Sequence, residues 1–167
     1  LAAALSAERA GARVALAAKG SIQSCNSAKA QGGIQAAFGE DDSPEIHAED
    51  VWRSSHETAD MELARVLTSE APRTIHWLEE HSVEFTRSNG GYRLARCGGA
   101  SRKRLLQVGD RTGLAITTAL RGAVKASTAL TFPKSPLAAL EPTEPGWRAR
   151  CGENEIEAGA VVLAAGG

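Results

Sequence analysis

The chain has 167 residues, the span of about one typical domain. Its composition is 43% hydrophobic and 23% charged, with 19 basic against 20 acidic residues and a formal net charge of -1. These values exclude intrinsic disorder and leave no basic surplus to neutralise phosphates, so neither nucleic acid nor an anionic membrane surface is expected as a partner. Cys25, Cys97 and Cys151 are odd in number, far apart and form no CxxC pair. No zinc site or disulfide framework follows from them, and a reducing, cytoplasmic setting fits best. No apolar run approaches the roughly 20 residues of a membrane span, and no secretion signal is visible at the start. Direct membrane insertion is therefore not expected.

Residues 1–10 read as an Ala-rich helix with no capping residue before it, closed by Gly11 in the position after the C-cap. Residues 13–18 read as a buried strand that ends at Lys19-Gly20, which makes an α-β half of a βαβ unit. The first strand of that unit and its Gly-rich turn are missing, so the chain reads as cut at its start. Ser43-Pro44-Glu45 signals a helix to about His56: a hydroxyl cap, a proline in the first turn and an acid beside it. Asp60 caps the next, where Leu63, Val66 and Leu67 share a helical spacing. Pro72 interrupts that pattern before Ile75 and Leu78 resume it, so two short helices or one kinked helix remain open.

Residues 83–86 and 92–94 read as short strands around a Ser88-Asn89-Gly90-Gly91 turn. A helix runs from Asp110 or Thr112 to about Lys125. Strands are expected near residues 130–132, 137–140 and 147–151, with residues 141–145 as a turn. A last buried strand over residues 161–164 runs into Gly166-Gly167 and stops abruptly, which reads as a second cut. His47, His56, His76 and His81 lie on predicted helices at spacings that define no metal face, and no metal is assigned.

The segment over residues 21–39 is the one that suggests chemistry. It follows a strand directly, its small and hydroxyl residues expose backbone N–H groups, and Gly32-Gly33 lack side chains where a flat ligand could lie. An ordinary Gly-rich loop is the competing reading of the same composition.

Resemblance decides between them. Ala30-Gln31-Gly32-Gly33-Ile34 with Ala36-Ala37, Asp42-Ser43-Pro44 with His47 and Asp50, Glu70-Ala71-Pro72, Trp77-Leu78-Glu79 and Phe85 follow one another in order. Gly98-Gly99, Arg104, Asp110-Arg111-Thr112-Gly113 and the closing Val161-Val162-Leu163-Ala164-Ala165-Gly166-Gly167 complete the set. The chain resembles the flavoprotein subunit of succinate dehydrogenase and fumarate reductase, a family that includes L-aspartate oxidase, over nearly its whole length.

The resemblance implies an α/β fold: a Rossmann-like FAD-binding domain over residues 1–167, partial at both ends, with a capping domain beyond the last residue. It implies FAD as cofactor and a small four-carbon dicarboxylate as substrate. An electron-transfer subunit or domain is implied as partner, with a cytoplasmic location, peripheral on the inner face of a membrane complex. Lys19, at the strand end where dinucleotide folds commonly carry an acid, is implied to touch adenosine or phosphate oxygens, against a solvated lysine as the alternative. Asn26, Ser27, Ala28, Lys29, Ala30, Gln31, Gly32 and Gly33 correspond to the flavin-binding loop, with Ser27 as a hydroxyl donor. The backbone at Leu137 matches a segment on the adenine side. Ala164, Ala165 and Gly166 match a strand-end turn beside the cofactor, or serve only as a turn.

Two departures carry information. Asn26 stands where membrane-bound members attach FAD through a histidine, so the flavin is expected to be noncovalent. Cys97 stands where L-aspartate oxidase carries a glutamate suited to the substrate ammonium, which argues for fumarate or succinate over aspartate. Cys97 as a small packing residue, or as a redox thiol, are further readings of that position. The basic run Arg96, Arg102, Lys103 and Arg104 invites an anion-binding reading, against a solvated surface run as the alternative, and only Arg104 matches a family position. Catalytic residues are not assigned, because the family's proton donor and substrate histidines come from segments outside these residues. The expected function is a flavin-dependent oxidoreductase that moves a hydride between FAD and fumarate or succinate. L-aspartate oxidase is the alternative enzyme, and a non-catalytic nucleotide-binding remnant the alternative of another kind.

Overall fold

The computed structural model describes residues 1–22 and 25–166. The chain divides into two compact units, one formed by Leu1–Ala28 with Thr117–Gly167 and the other by Lys29–Ile116.

In the first unit, α1 (Ala2–Arg9) ends in a paired cap that its sequence dictates. Gly11 adopts φ +86°, its N–H donates to the Glu8 carbonyl at 2.8 Å, and the Ala12 N–H reaches back to Ala7 at 3.0 Å. Only glycine takes that left-handed turn without cost. The turn feeds β1 (Ala15–Ala17), which pairs in parallel with β6 (Leu130–Phe132) in the register Ala15↔Leu130. The Glu8 carboxylate accepts from both the N–H and the hydroxyl of Thr128 at 2.6 Å, tying the end of α1 to the segment that enters β6.

An antiparallel meander completes this unit: β7 (Leu137–Thr143), β8 (Gly146–Cys151) and β9 (Asn154–Ala158). Gly146 is required where β8 leaves its turn, since a Cβ there would sit 2.3 Å from the Ala158 carbonyl oxygen. The turn expected over residues 141–145 is shorter in the structure, because β7 continues through Pro142 to Thr143 on the edge of the sheet, where a missing N–H costs no ladder bond. The strand expected over residues 161–164 is not formed. Val162 and Leu163 are exposed there, and among the described residues no strand lies alongside to supply a ladder. The strand β9 was hidden from pattern reading by the polar sequence NEIEA, in which only Ile156 is a large apolar residue.

The second unit is built on α3 (Pro44–Ser54) and α4 (Met61–Glu80). Ser43 caps α3 through the Ile46 N–H at 3.3 Å, and Asp60 caps α4 through the N–H groups of Glu62 and Leu63 at 2.8 and 3.2 Å. Of the two readings of the Pro72 region, one continuous helix forms. Ala64, Thr68, Ile75 and Leu78 keep a single buried face across the proline, and their burial outweighs the missing hydrogen bond.

A short antiparallel pair, β2 (Ile34–Gln35) with β5 (Leu105–Leu106), belongs to the same unit and has the register Ile34↔Leu106. The expected strands around Asn89-Gly90 shrink and move inward to β3 (Arg87–Ser88) and β4 (Gly91–Tyr92). Asn89 and Gly90 both have positive φ, +52° and +83°, the two-residue turn that such a hairpin prefers. Residues 83–86 instead bury Val83 and Phe85 without regular pairing. The last helix, α5 (Thr112–Ala126), starts in this unit and ends in the first.

Candidate functional site

In the first unit the exit from β1 and the entry to β7 are drawn together. The Ser135 N–H donates to the Ala18 carbonyl at 2.8 Å and the Lys134 N–H to the Gly20 carbonyl at 3.0 Å. Lys19, exposed between these two anchors, therefore shares one end of the parallel pair with the segment leading to Leu137, itself 46% exposed. Asn26 and Ser27 are exposed on α2 (Asn26–Lys29), and Ala28 is half-buried, its N–H donating to the Cys25 carbonyl at 3.2 Å. Ala164, Ala165 and Gly166 are exposed and outside any strand. Gln23 and Ser24 of the loop and Gly167 of the closing segment lie outside the described residues.

In the second unit Lys29, the last residue of α2, leads into Ala30, Gln31, Gly32 and Gly33, a loop that is exposed yet not loose. The Ala30 carbonyl accepts from the Gly113 N–H at 2.9 Å, and the Gly32 carbonyl accepts from the Thr112 hydroxyl at 2.7 Å. Thr112 is itself buried, and its hydroxyl also accepts from the Val108 N–H at 3.0 Å. Across a planar trans peptide the following N–H points opposite to the carbonyl, so the Gln31 and Gly33 amides face away from the start of α5. Thr112-Gly113 is thus the staple that aims this loop.

The two glycines of the loop have different reasons. A Cβ on Gly32 would meet nothing within 4 Å, whereas one on Gly33 would lie 2.1 Å from the Leu106 carbonyl oxygen. Gly33 is glycine because β5 passes beneath it. Gly32 leaves open room.

Sequence reasoning singled out Arg104 but did not assemble the ion cluster around it. The Arg104 side chain is wholly buried, and its Nε and one terminal nitrogen grip Asp42 at 2.8 and 2.7 Å while the other reaches Asp50 at 2.6 Å. Asp50 also accepts from the N–H and hydroxyl of Ser101 at 2.7 and 2.8 Å. Burial alone raises both carboxyls, but the bonds from Arg104, Ser43 and Ser101 outweigh it and hold Asp42 and Asp50 below the usual carboxylate range. The hydrogen bonds that Arg104 donates to Asp42 lead the effects that raise its own pKa.

His47 is buried beside this cluster, and its Nδ1 has no hydrogen-bond partner among the described residues. Burial, then the Arg104 charge, push its pKa down against the pull of Asp42 and Asp50. The anion-binding reading of the basic run is corrected in part. Arg104 is consumed by two carboxylates, Arg102 donates to the Asp41 carbonyl at 2.9 Å, and Arg96 donates to the Ser101 carbonyl. The available signal was the pairing of Asp42 and Asp50 with Arg104 in the family blocks.

Parallel pairing of β1 with β6, with helices in the chain between them, marks an α/β fold. The model of the FAD binding domain family matches residues 1–167, and the chain belongs to that family. It is 38% identical over 128 residues to L-aspartate oxidase of Streptomyces coelicolor, covering 75% of this chain and 22% of that protein. It is 40% identical over 96 residues to a fumarate reductase (CoM/CoB) chain of Methanothermobacter marburgensis, covering 55% of this chain and 18% of that one. Among solved structures it matches Mycobacterium smegmatis Sdh1 in complex with UQ1, with TM-score 0.80, 25% identity, and 88% of this chain and 28% of that chain covered. The chain therefore spans between about a sixth and just over a quarter of the length of these relatives. Among the described residues no helix is long and apolar enough to cross a membrane.

FAD is the cofactor of this family, and the loop fits it. The open space at Gly32 and the exposed backbone of Gln31, Gly32 and Gly33 are room and donors of the kind a flavin edge and phosphate need.

Proposed function

We propose that these residues are the FAD-binding part of an oxidoreductase that interconverts fumarate and succinate. The observation that carries the reading is the exposed loop stapled through its carbonyls to the start of α5, with an open glycine at its centre. Asn26, Ser27, Ala28, Lys29, Ala30, Gln31, Gly32 and Gly33 hold the flavin side, Lys19 and the Leu137 backbone the adenosine side, and Ala164, Ala165 and Gly166 the strand-end turn. When bound, FAD supplies hydride transfer at its ring. The chain's own part is to bind and orient: backbone N–H groups and Ser27 donate to the flavin, and the Lys19 ammonium meets negative oxygens. A carboxamide at Asn26 forms no covalent link, so the flavin is held by these contacts alone. The partner in electron transfer is a separate subunit or domain, peripheral to a membrane where the acceptor is a quinone.

L-aspartate oxidation is the second reading, favoured by the Streptomyces relative. Against it stands Cys97, which carries no charge to attract an ammonium. Turnover of fumarate, succinate and L-aspartate by the flavoenzyme of family length that carries these residues decides between them. Faster oxidation of L-aspartate than reduction of fumarate overturns the first reading. Acid precipitation of that enzyme is expected to release all its flavin to the supernatant, and flavin fluorescence retained on the polypeptide overturns the noncovalent assignment.

A further inference from the structure

We propose that Asp50 is the positioning residue for the turn over residues 97–101, holding Cys97 where it meets the dicarboxylate; the substrate half of this inference rests on the fumarate reading above. The loop that carries the turn is closed at its base by Ala95 and Leu105, which exchange both backbone hydrogen bonds at 3.0 Å. At its tip, one Asp50 oxygen takes three donors: the Ser101 N–H at 2.7 Å, the Ser101 hydroxyl at 2.8 Å and an Arg104 nitrogen at 2.6 Å. Asp50 in turn is fixed on α3 and neutralised by a wholly buried cation that Asp42 also grips.

The turn is pressed on α3 at a second point. Gly99 has φ +81°, which favours glycine, and a Cβ there would lie 2.6 Å from the Ser54 hydroxyl, which would have to turn aside. Between these two points the Ala100 N–H closes on the Cys97 carbonyl at 3.2 Å, which leaves Cys97 half-buried and Gly98 exposed. The low pKa of the Asp50 carboxyl keeps it an acceptor for all three donors near neutrality. Asp50 is buried and acts through Ser101 on the place of Cys97.

Cysteine alkylation by iodoacetamide, read peptide by peptide by mass spectrometry on the full chain, tests the clamp. Asp50→Asn keeps the shape but loses the charge, and Ser101→Ala removes one donor while leaving the ion pair intact. Because a hydrogen bond to a charged group is lost, Cys97 is expected to label about tenfold faster in either variant, with buried Cys151 labelling as slowly as in the parent. If Asp50→Asn unfolds the second unit, the fluorescence of Trp52 and Trp77, which lie in that unit, reports it and Ser101→Ala decides. An unchanged Cys97 rate in a folded variant overturns the clamp.

In the flavoenzyme of family length, Ser101→Ala is expected to raise KM for fumarate by about tenfold with kcat and FAD content kept, since a displaced turn weakens binding and not the chemical step. A fall in kcat at constant KM overturns the substrate half. A parent enzyme that turns over neither fumarate nor succinate removes the functional reading and the substrate half with it, while faster labelling in the variants still upholds the clamp.

Discussion

Arg104→Met removes the cation at the centre of the second unit and is expected to be among its most damaging single changes. Methionine fills most of the volume, so the loss is electrostatic: three charge-assisted bonds of 2.6 to 2.8 Å disappear, Asp42 loses its ion-pair partner, and Asp50 keeps only the exposed Arg53 at 3.4 Å. Leaving a buried charge unpaired costs about 3–5 kcal/mol, against about 5–15 kcal/mol for the whole stability of a typical domain. With a urea slope of about 2 kcal/mol/M, the midpoint should fall by about 1.5–2.5 M. Tryptophan fluorescence follows it, since Trp52 and Trp77 both lie in this unit. The penalty must also shrink in acid. In the parent, both carboxyls sit below their unfolded value, so their stabilisation is present above about pH 4 and lost as pH falls through the folded value. In the variant these carboxyls protonate readily and shed their charge. A midpoint change under about 0.5 M at pH 7, or a gap between parent and variant that widens in acid, would show that the cluster is not what holds this unit together.

The other expectations concern His47, the loop glycines and Cys97. His47 is held neutral in the fold, so its stabilisation is full above about pH 6.5 and declines as pH falls towards the lowered folded value; His47→Leu should flatten the stability slope between about pH 7 and 5, measured by urea midpoints. Gly33→Ala forces β2 and β5 apart and should cost about 1–3 kcal/mol, whereas Gly32→Ala, which meets open space, should leave the urea midpoint nearly unchanged and weaken FAD binding by titration calorimetry. Equal effects of the two substitutions would refute the separate reasons given for them. Cys97→Glu adds an acceptor for an ammonium and should shift the ratio of kcat/KM towards L-aspartate over fumarate; an unchanged ratio places position 97 away from the substrate.

The helices of this chain were legible because each carries its own signals. Ser43-Pro44-Glu45 and Asp60 mark starts through side chains that cap their own backbones, and Gly11 marks an end through a φ that other residues avoid. Strands need partners, and the sequence does not state who they are. Residues 161–164 have the composition of a buried strand but no described neighbour, while NEIEA has a polar composition and forms β9 because β8 lies beside it. The loop over residues 26–33 was found through family blocks, yet the separate duties of Gly32 and Gly33 depend on where the Leu106 carbonyl falls. The ion cluster escaped for the same reason: Asp42, Asp50 and Arg104 are ordinary surface types until the chain folds them into contact. Their meeting is tertiary information.

The acidic outer strand of the meander governs how this surface behaves towards other strands. Glu155 and Glu157 flank Ile156 on β9, whose outer edge no strand covers among the described residues. Two copies that paired antiparallel about Ile156 would set Glu155 of one opposite Glu157 of the other, twice over, and like charges directly opposed disfavour such pairing. Arg148 on β8 holds both carboxylates from within, at 3.3 Å to Glu155 and 2.9 Å to Glu157, so it is not free to bridge two copies. The barrier is one of charge and not of shape. With those two charges removed, as in a double Glu155→Gln and Glu157→Gln variant, the same edge becomes an open row of backbone donors and acceptors, and strand-to-strand association becomes the natural route by which the chain leaves solution.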